Sequence, residues 1–444
     1  MGGANQQGFF ISASEWLAKS QTGKAVMSNE SYFGKIQIGW HRGKIRPLMR
    51  AVFLYSKGRV EYMKKHHLRI PGPTEVPDSV MRAMQTPMLN HRGEEFISIF
   101  KQVSEEIKEV FQTQNDVLIF PSAGTGAMEA AIVNLFSPGD LILSFPNGVF
   151  SERFAQIAES FGANVERIQV EWGKPVTPDT VRERLTRDTN HEIKGILFTH
   201  NETSTGVLND IKALREAVGN HPAVILVDAI SSLGAVDLKT DEWNLDAVVT
   251  GSQKALMLPP GLGFISLSAK AWTMVEQSRM PKYYWDFRAA KKSLEKGQTP
   301  YTPAVSLIFA LKESLELMKK EGLPNIFKRH LMISGALRAG IKAIGMKLFV
   351  DDRWASPTVT SIEISGCETQ NFSKLLKNRF NITVAGGQEK LKNKIMRIGH
   401  LGYVDKMDII NVLAGLEMAL ADRNLYGKGV REAELFFEKG EMEQ

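Results

Sequence analysis

The sequence predicts an α/β fold in which a mostly parallel sheet is sandwiched between helices, followed by a smaller C-terminal α+β domain. Between residues 115 and 267, short apolar runs alternate with segments of helical periodicity, a pattern typical of strand–helix–strand units. The apolar runs are nearly continuous, as expected for strands that are buried on both faces. After Pro303 this regular alternation ends, which indicates a second domain.

The individual elements follow from these patterns in chain order. Apolar runs bounded by turn residues predict strands at 115–121, 141–145, 164–170, 194–199, 223–228, 246–250 and 263–267. Helical spacing predicts helices at 127–136, 152–161, 180–186 and 210–218. The C-terminal part is expected to contain a helix over 305–321, strands at 358–364 and 394–398, and a last helix over 406–421.

These elements divide the chain into four segments. We expect a basic, poorly ordered N-terminal extension (1–62), a large domain (63–321), a small C-terminal domain (322–424) and a C-terminal tail (425–444). Residues 1–66 hold seven Lys and four Arg against three Glu, whereas the whole chain has a formal net charge of only +6. The main body is therefore nearly neutral, and no basic stripe with interleaved aromatic residues predicts nucleic-acid binding.

Composition excludes several further classes of protein. The chain of 444 residues is 43% hydrophobic and 23% charged, which is ordinary for a globular protein. Its single cysteine, Cys367, permits no internal disulfide, and no metal-binding motif is present. The least charged long stretch, 117–139, contains Glu129 and is broken by proline and glycine, so no membrane span is predicted. We expect a cytoplasmic protein, with organellar import through the N-terminal extension left open.

Two predicted strand ends carry small or polar residues that suit ligand binding. Ala123, Gly124 and Thr125 form a turn between a strand and a helix, where unpaired backbone N–H groups could hold a phosphate. A tight turn would need the same small residues without any ligand. The segment 199–206 (THNETSTG) gathers hydroxyls and an amide after another predicted strand; taken alone, it is explained equally well as a helix cap.

Two further strand ends carry ionisable groups. Asp228 ends the run AVILVD, where it could cap a helix or face a protonated ring nitrogen. Lys254 follows the run DAVVTG and precedes a loop rich in proline and glycine. Such a sheltered lysine has a lowered pKa and can form a Schiff base. A phosphate turn, a carboxylate and a lysine on strand ends are together what pyridoxal 5′-phosphate (PLP) requires.

The chain resembles the class V, fold-type I PLP-dependent aminotransferases, most clearly the alanine–glyoxylate and serine–glyoxylate (serine–pyruvate) group. The resemblance covers about residues 68–424. Its matching segments are PGPTEVP (71–77), NHR (90–92), SAGTGAMEAA (122–131), HNETSTGV (200–207), VDAISSLG (227–234), TGSQKAL (250–256), PYTPAVSLIFAL (300–311) and MRIGHLG (396–402).

The resemblance implies a role for each matching position. It makes Lys254 the Schiff-base lysine and Asp228 the partner of the pyridine nitrogen, in a ping-pong transfer from alanine or serine to glyoxylate or pyruvate. Arg397 would bind the substrate carboxylate, and a homodimer with shared sites is implied. The remaining implied cofactor contacts are Ala123, Gly124, Thr125 and Gln253 at the phosphate, Phe150 on the ring face, Thr203 near the ring hydroxyl, and Tyr301 and Thr302 at the neighbouring subunit's phosphate. The small-residue turn 385–387 is expected near the site mouth.

Other functions stay open at this point. Cysteine desulfurases share the fold and use a mobile cysteine in the small domain, where Cys367 lies; they usually carry His at the positions of Gln253 and Phe150. Other class V lyases, and transaminases of aspartate, ureidoglycine or an aminophosphonate, are further alternatives. A non-catalytic binder acting through the basic extension belongs to a different class, which the irregular sequence of residues 1–66 does not favour.

Overall fold

The computed structural model describes residues 65–364 and 372–442. The strands, in chain order, are β1 His67–Arg69, β2 Val117–Ser122, β3 Leu141–Ser144, β4 Asn164–Arg167, β5 Ile193–Thr199, β6 Asn201–Glu202, β7 Val207–Leu208, β8 Val224–Asp228, β9 Ala247–Gly251, β10 Gly261–Leu267, β11 Val359–Glu363, β12 Ile382–Gly386 and β13 Ile395–Gly399.

Helices cover both faces of the large sheet, and further helices pack on a second, smaller sheet. They are α1 Asp78–Ala83, α2 Glu94–Phe111, α3 Gly124–Leu135, α4 Val149–Ser160, α5 Pro178–Thr186, α6 Ile211–Val218, α7 Ala269–Gln277, α8 Phe287–Leu294, α9 Val305–Glu321, α10 Leu323–Ala343, α11 Phe372–Leu375, α12 Lys406–Leu420 and α13 Lys428–Met442. Among the described residues, none of the helices has both the length and the apolar character needed to cross a membrane.

The large sheet has seven strands in the order β2-β10-β9-β8-β5-β3-β4. Only β10 runs antiparallel to its neighbours, so the predicted mostly parallel sheet is confirmed. Successive residues of β8 point to opposite faces: Ile225 and Val227 enter one apolar cluster, Val224 and Leu226 the other. Each such buried aliphatic side chain contributes about 1.5–3 kcal/mol, so helices on both faces stabilise the sheet.

The second sheet has four strands in the order β1-β12-β13-β11. β1 pairs parallel with β12, with His67 opposite Ile382, so a strand from the beginning of the described chain joins the C-terminal sheet. The segment that the sequence set apart as a tail contains α13. Its residues Ala433 and Phe437 are buried in the cluster that also holds Leu337 of α10, so α13 is part of the core on this sheet.

Most predicted elements lie within a few residues of their observed bounds, and the differences are local. Helix α3 begins at Gly124 rather than at residue 127, because Ala123 precedes the first turn in an extended conformation. Strand β4 ends at Arg167 rather than at residue 170. The elements that were not predicted include α2, α10, β12 and α13. The expected domain boundaries stay a proposal, and the N-terminal extension 1–62 lies outside the described residues.

Candidate active site

Several of the predicted site residues follow strands that end at one edge of the large sheet. Asp228 ends β8 and lies opposite Thr199 of β5 and Val249 of β9 in register. Because β5, β8 and β9 are parallel, the segments that follow them reach the same edge, where ligands bind in open α/β sheets. The chain thus brings 200–206, Asp228 and Lys254 together, although they are far apart in sequence.

Lys254 lies in the turn after β9, and its amine donates a hydrogen bond to the carbonyl oxygen of Pro71. The side chain is half-buried, but protein atoms around the amine remove much of its hydration. The pKa of Lys254 is lowered to about 8, chiefly by desolvation; Asp228 opposes this shift, and the charges of Arg397 and Arg153 add to it. A lysine with this pKa is partly neutral near pH 7 and can act as a nucleophile or a base.

Asp228 is 4% exposed at the end of β8. Desolvation raises its pKa to about 7, and the negative charge of Glu202 raises it as well, against the Ile230 N–H, Lys254 and Arg153. One carboxylate oxygen, Oδ1, accepts the N–H of Ile230 at 2.9 Å. The second oxygen has no hydrogen-bond donor among the described residues. A protonated ring nitrogen would supply the missing donor and positive charge.

Arg397, in the middle of β13, is 5% exposed. Its guanidinium donates to the carbonyl oxygens of Gly386 (2.9 Å) and Thr203 (3.0 Å). Burial lowers its pKa to about 10, yet no described carboxylate lies within ion-pair distance. Buried guanidinium groups are normally paired, so Arg397 is suited to bind the carboxylate of a small ligand. The hydrogen bond to Gly386 places the end of β12 beside the site; Ala385 and Gly386 belong to this strand, so the predicted turn over 385–387 is wrong.

The turn from β2 into α3 presents unpaired backbone N–H groups at the first turn of a helix. A Cβ on Gly124 would lie 2.5 Å from the Cδ1 of Ile230, so only glycine lets the helix start pack this closely on the segment after Asp228. Gln253 lies beside this turn, and its buried Oε1 has no partner among the described residues. The free N–H groups at this helix start suit a bound phosphate, and the Gln253 side chain would add a donor through its Nε2 amide group rather than through Oε1.

Phe150 lies in the first turn of α4, with its ring half-buried. Its position depends on Glu202, a fully buried residue that the sequence analysis did not single out. The Glu202 carboxylate accepts the backbone N–H groups of Phe150 (3.1 Å) and Ser151 (2.8 Å) and the hydroxyl of Ser204 (2.6 Å). A glutamate next to Thr203 in HNETSTG was visible in the sequence, but its distance of 52 residues from Phe150 hid the contact.

Thr203 and Ser231 connect two of the segments at this edge. Their hydroxyl oxygens lie 2.5 Å apart, and Asn201 donates to the same Ser231 hydroxyl at 2.8 Å. Asn201 also donates to Thr358, just before β11, at 3.0 Å. This chain of hydrogen bonds holds Thr203 between the loop after Asp228 and the sheet that carries Arg397.

Within the chain, Tyr301 and Thr302 lie apart from the site formed by Lys254, Asp228 and Arg397. Tyr301 stacks on Tyr283 and Tyr284, with ring centroids 5.5 and 5.3 Å apart, and Tyr283 is 78% exposed. Tyr284, Tyr301 and Thr302, together with Pro121 of β2, line a small crevice at the protein surface.

A second group of ionisable residues lies away from this edge. Asp188, His191 and His221 bring potential metal ligands within 4.8 Å of one another. However, Nδ1 of His221 accepts the Ala223 N–H, so Nε2 must carry the proton and donates to Asp188 at 3.0 Å. Asp188 also accepts the N–H groups at the start of β5, which makes this cluster a hydrogen-bonded cap on that strand.

A lysine of lowered pKa near a buried carboxylate, with a buried arginine that has no carboxylate partner among the described residues, is typical of an enzyme that acts on amino or oxo acids. The sequence profile of the Aminotransferase class-V family matches residues 67–410. The chain therefore belongs to the class-V aminotransferases, and it is a transaminase, as the resemblance implied.

Individual proteins support the same membership. The serine–glyoxylate aminotransferase of Methylorubrum extorquens is 37% identical over 393 residues, which cover 85% of this chain and 97% of that protein. The crystal structure of the ureidoglycine–glyoxylate aminotransferase of Bacillus subtilis superposes with a TM-score of 0.79 at 31% identity, covering 86% of this chain and 100% of that one.

A third relative bears a different name. The "soluble hydrogenase 42 kDa subunit" of Anabaena cylindrica is 46% identical over 356 residues, covering 80% of this chain and 93% of that protein. That name does not extend to this chain, because the family match and the lysine–carboxylate–arginine site indicate amino transfer.

Membership of this family implies a PLP cofactor, and the residues present fit it. Asp228 lacks a donor at one oxygen among the described residues, and no side chain caps the N–H groups in the first turn of α3. These two observations concern the ring nitrogen and the phosphate, the two ends of the cofactor.

Proposed function

We propose that this transaminase moves the amino group of a small amino acid, alanine or serine, to a 2-oxo acid such as glyoxylate or pyruvate. The observation that carries the proposal is the buried Arg397 without a carboxylate partner among the described residues, in the same site as Lys254 and Asp228. One carboxylate on a small substrate is the group that this arginine recognises. The serine–glyoxylate and ureidoglycine–glyoxylate relatives support glyoxylate as an acceptor.

The cofactor would be held by residues from several strand ends. We assign its aldehyde to Lys254, its ring nitrogen to Asp228 and one face of its ring to Phe150. Thr203 would contact the ring hydroxyl. The phosphate would be held by Ala123, Gly124, Thr125 and Gln253. PLP, when bound, supplies an electron sink for the electron pair left at the substrate Cα.

The protein's own groups then do three things. Arg397 binds the substrate carboxylate, and the carbonyl oxygens of Gly386 and Thr203 fix the orientation of its guanidinium. Asp228 holds a proton on the ring nitrogen, which its buried position and unsatisfied oxygen favour. The Lys254 amine, once neutral, takes the proton from the substrate Cα and returns it later, as a general base and acid. Donor and acceptor use the same groups in turn, so ping-pong kinetics are expected.

The decisive experiment replaces the lysine. Wild-type protein incubated with PLP should gain a near-visible absorption band that borohydride fixes, and alanine or serine should bleach this band and support amino transfer to glyoxylate. Lys254→Ala should lose the fixed band and turnover while its circular dichroism stays unchanged. Lys270→Ala, which removes an ion-paired lysine of α7, is the control. Turnover by Lys254→Ala would contradict the proposal.

We also propose a homodimer in which Tyr301 and Thr302 reach the phosphate of the neighbouring subunit. The exposed aromatic patch of Tyr283, Tyr284 and Tyr301 supports a surface that another copy covers. Mixing Lys254→Ala with Tyr301→Ala subunits should restore part of the activity, because hybrid dimers contain one intact site. A monomer in sedimentation, or no recovery from verified hybrids, would contradict shared sites.

Cysteine desulfurase activity remains the alternative to test. Cys367 lies outside the described residues, so its position gives no support to this alternative. Sulfide release from cysteine, compared with amino transfer from alanine under the same conditions, separates the two functions.

A further inference from the structure

Arg153 is a second arginine near Lys254 that the proposed reaction does not use. It lies three residues after Phe150 on α4, so the two side chains share a face of the helix. Its guanidinium carbon is 4.9 Å from the centroid of the Phe150 ring. The side chain is half-buried, yet it has neither a hydrogen bond nor an ion pair with any described residue.

Neighbouring arginines are paired. Arg167 binds the carboxylates of Glu152 (3.0 Å) and Glu159, and Arg184 binds Glu166 at 2.6 Å. A partly buried guanidinium costs free energy unless an anion accepts its hydrogen bonds. Arg153 is thus available for an anion from outside the chain.

Arg153 lies on the side of the site that carries Phe150, and its positive charge acts on Lys254 and Asp228. Its guanidinium lies over the ring of Phe150, the residue assigned to the ring face of the cofactor, and its charge slightly lowers the pKa of both the Lys254 amine and the Asp228 carboxyl. Arg397 acts on Lys254 in the same direction. Two cations without acidic partners among the described residues, Arg153 and Arg397, therefore adjoin the centre where the amino group is transferred.

Arg153 also lines a cleft with room for a substrate side chain. The cleft has a volume of about 510 Å³ and is bordered by Trp172, Glu389 and Lys390, among others. The amine of Lys390 lies 5.0 Å from the centroid of the Trp172 ring. Lys390 is also only four residues after Gly386, the end of β12, whose carbonyl oxygen Arg397 contacts. Of the acidic lining residues, Glu152 is bound to Arg167 and Glu389 is exposed, so neither neutralises Arg153.

We propose that Arg153 determines specificity by binding a second anionic group, a carboxylate or a phosphate, on the side chain of an amino donor or oxo acid. The inference rests on the proposed function and extends it: besides alanine and serine, the site accepts substrates with two anionic groups. Arg397 binds the carboxylate on Cα, and the planar guanidinium of Arg153 binds the distal group through paired N–H donors.

The test compares donors in wild-type and Arg153→Gln holoenzyme. The catalytic efficiency, kcat/KM, is measured with aspartate, phosphoserine and alanine, with glyoxylate as acceptor. We expect at least one anionic donor to lose about tenfold or more relative to alanine in the variant, the size expected for a charged hydrogen bond. Aspartate and phosphoserine distinguish a carboxylate from a phosphate. Arg167→Gln is the control, because Arg167 lines the same cleft but is paired with glutamates. This variant should leave the ratio of kcat/KM between anionic donors and alanine unchanged.

Two kinetic outcomes overturn the inference. In the first, Arg153→Gln leaves kcat/KM unchanged for every donor. In the second, Arg153→Gln lowers kcat/KM by the same factor for every donor, which would give Arg153 a structural role only. A binding measurement separates this failure from that of the proposed function. Wild-type holoenzyme should bind succinate or 3-phosphonopropionate more tightly than propionate, and Arg153→Gln should narrow this difference in affinity. This result is expected even if no amino donor supports turnover, whereas an unchanged difference also overturns the inference.

Discussion

Lys254 acquires its low pKa from its surroundings rather than from any neighbour in sequence. Burial removes water from the amine, and Arg397 and Arg153 add positive charge, while Asp228 compensates only in part. Gly72 makes room for the side chain: its φ is +129°, and a Cβ at this position would collide with the end of Lys254. The reactive amine therefore depends on a glycine 182 positions earlier in the chain.

Gly72→Ala should displace the Lys254 amine and prevent the borohydride-fixed attachment of PLP. Both the backbone strain, about 1–3 kcal/mol, and the collision act in this variant. Gly139→Ala is the matched control, because Gly139 also has a positive φ (+89°) but no atom lies within 4 Å of the place that a Cβ would take. Absorption spectra and thermal unfolding of both variants provide the measurement. Normal cofactor attachment in Gly72→Ala would show that the lysine does not need this space.

Among the elements, helix α4 has its start fixed by a distant carboxylate. Glu202 in β6 accepts two N–H groups from the first turn of α4 and the hydroxyl of Ser151. Ser204 in turn accepts the Val149 N–H at 2.9 Å. The helix that carries Phe150 and Arg153 is thereby tied to the segment that carries Thr203, so both sides of the site keep a fixed spacing.

Glu202→Gln should lower the free energy of unfolding by about 1–3 kcal/mol, because a buried charged acceptor is lost. Phe150 would also lose its fixed position, so the affinity for PLP should fall and the visible circular dichroism of the bound cofactor should change. Glu152→Gln on the same helix removes only a partly exposed ion pair, worth about 1 kcal/mol or less, and serves as control. Denaturant unfolding and PLP titration test this; equal effects in both variants would rule out the positioning role.

In the whole molecule, three buried histidines connect stability to pH. Burial lowers the pKa of His200, His330 and His400 to about 3 in the folded state, whereas an exposed histidine titrates near about pH 6.5. As the pH falls below this value, the unfolded chain gains protons that the folded chain cannot accept. Asp228 has the opposite effect on stability as the pH falls, because its pKa is raised to about 7 in the folded state. The three histidines together outweigh this one carboxyl group.

The cofactor-free protein should therefore lose stability between about pH 6.5 and pH 4, by up to about 1.4 kcal/mol per pH unit for each histidine. Urea unfolding as a function of pH measures this slope. His400→Gln should reduce the slope by the share of one histidine. Constant stability over this range would mean that the histidines are already protonated in the folded state.

The amino-acid pattern predicted the order of most strands and helices of the large domain, because buried parallel strands need nearly continuous apolar runs. It also selected Lys254, Asp228 and Arg397 through motifs. Helix α2 was not predicted, although the helical spacing of its buried residues, among them Phe96, Phe100, Val103 and Ile107, is a local signal that the sequence contains.

Which distant residues share the site depends on how the folded elements pack against one another. The roles of Glu202, Gly72 and Arg153 depend on contacts between segments that are far apart in the chain, and local periodicity carries no information about such contacts. The same holds for β1, which joins the C-terminal sheet only because the chain returns to pair with β12. Local pattern thus fixed the elements, while burial and charge, which depend on packing between them, fixed the chemistry of the site.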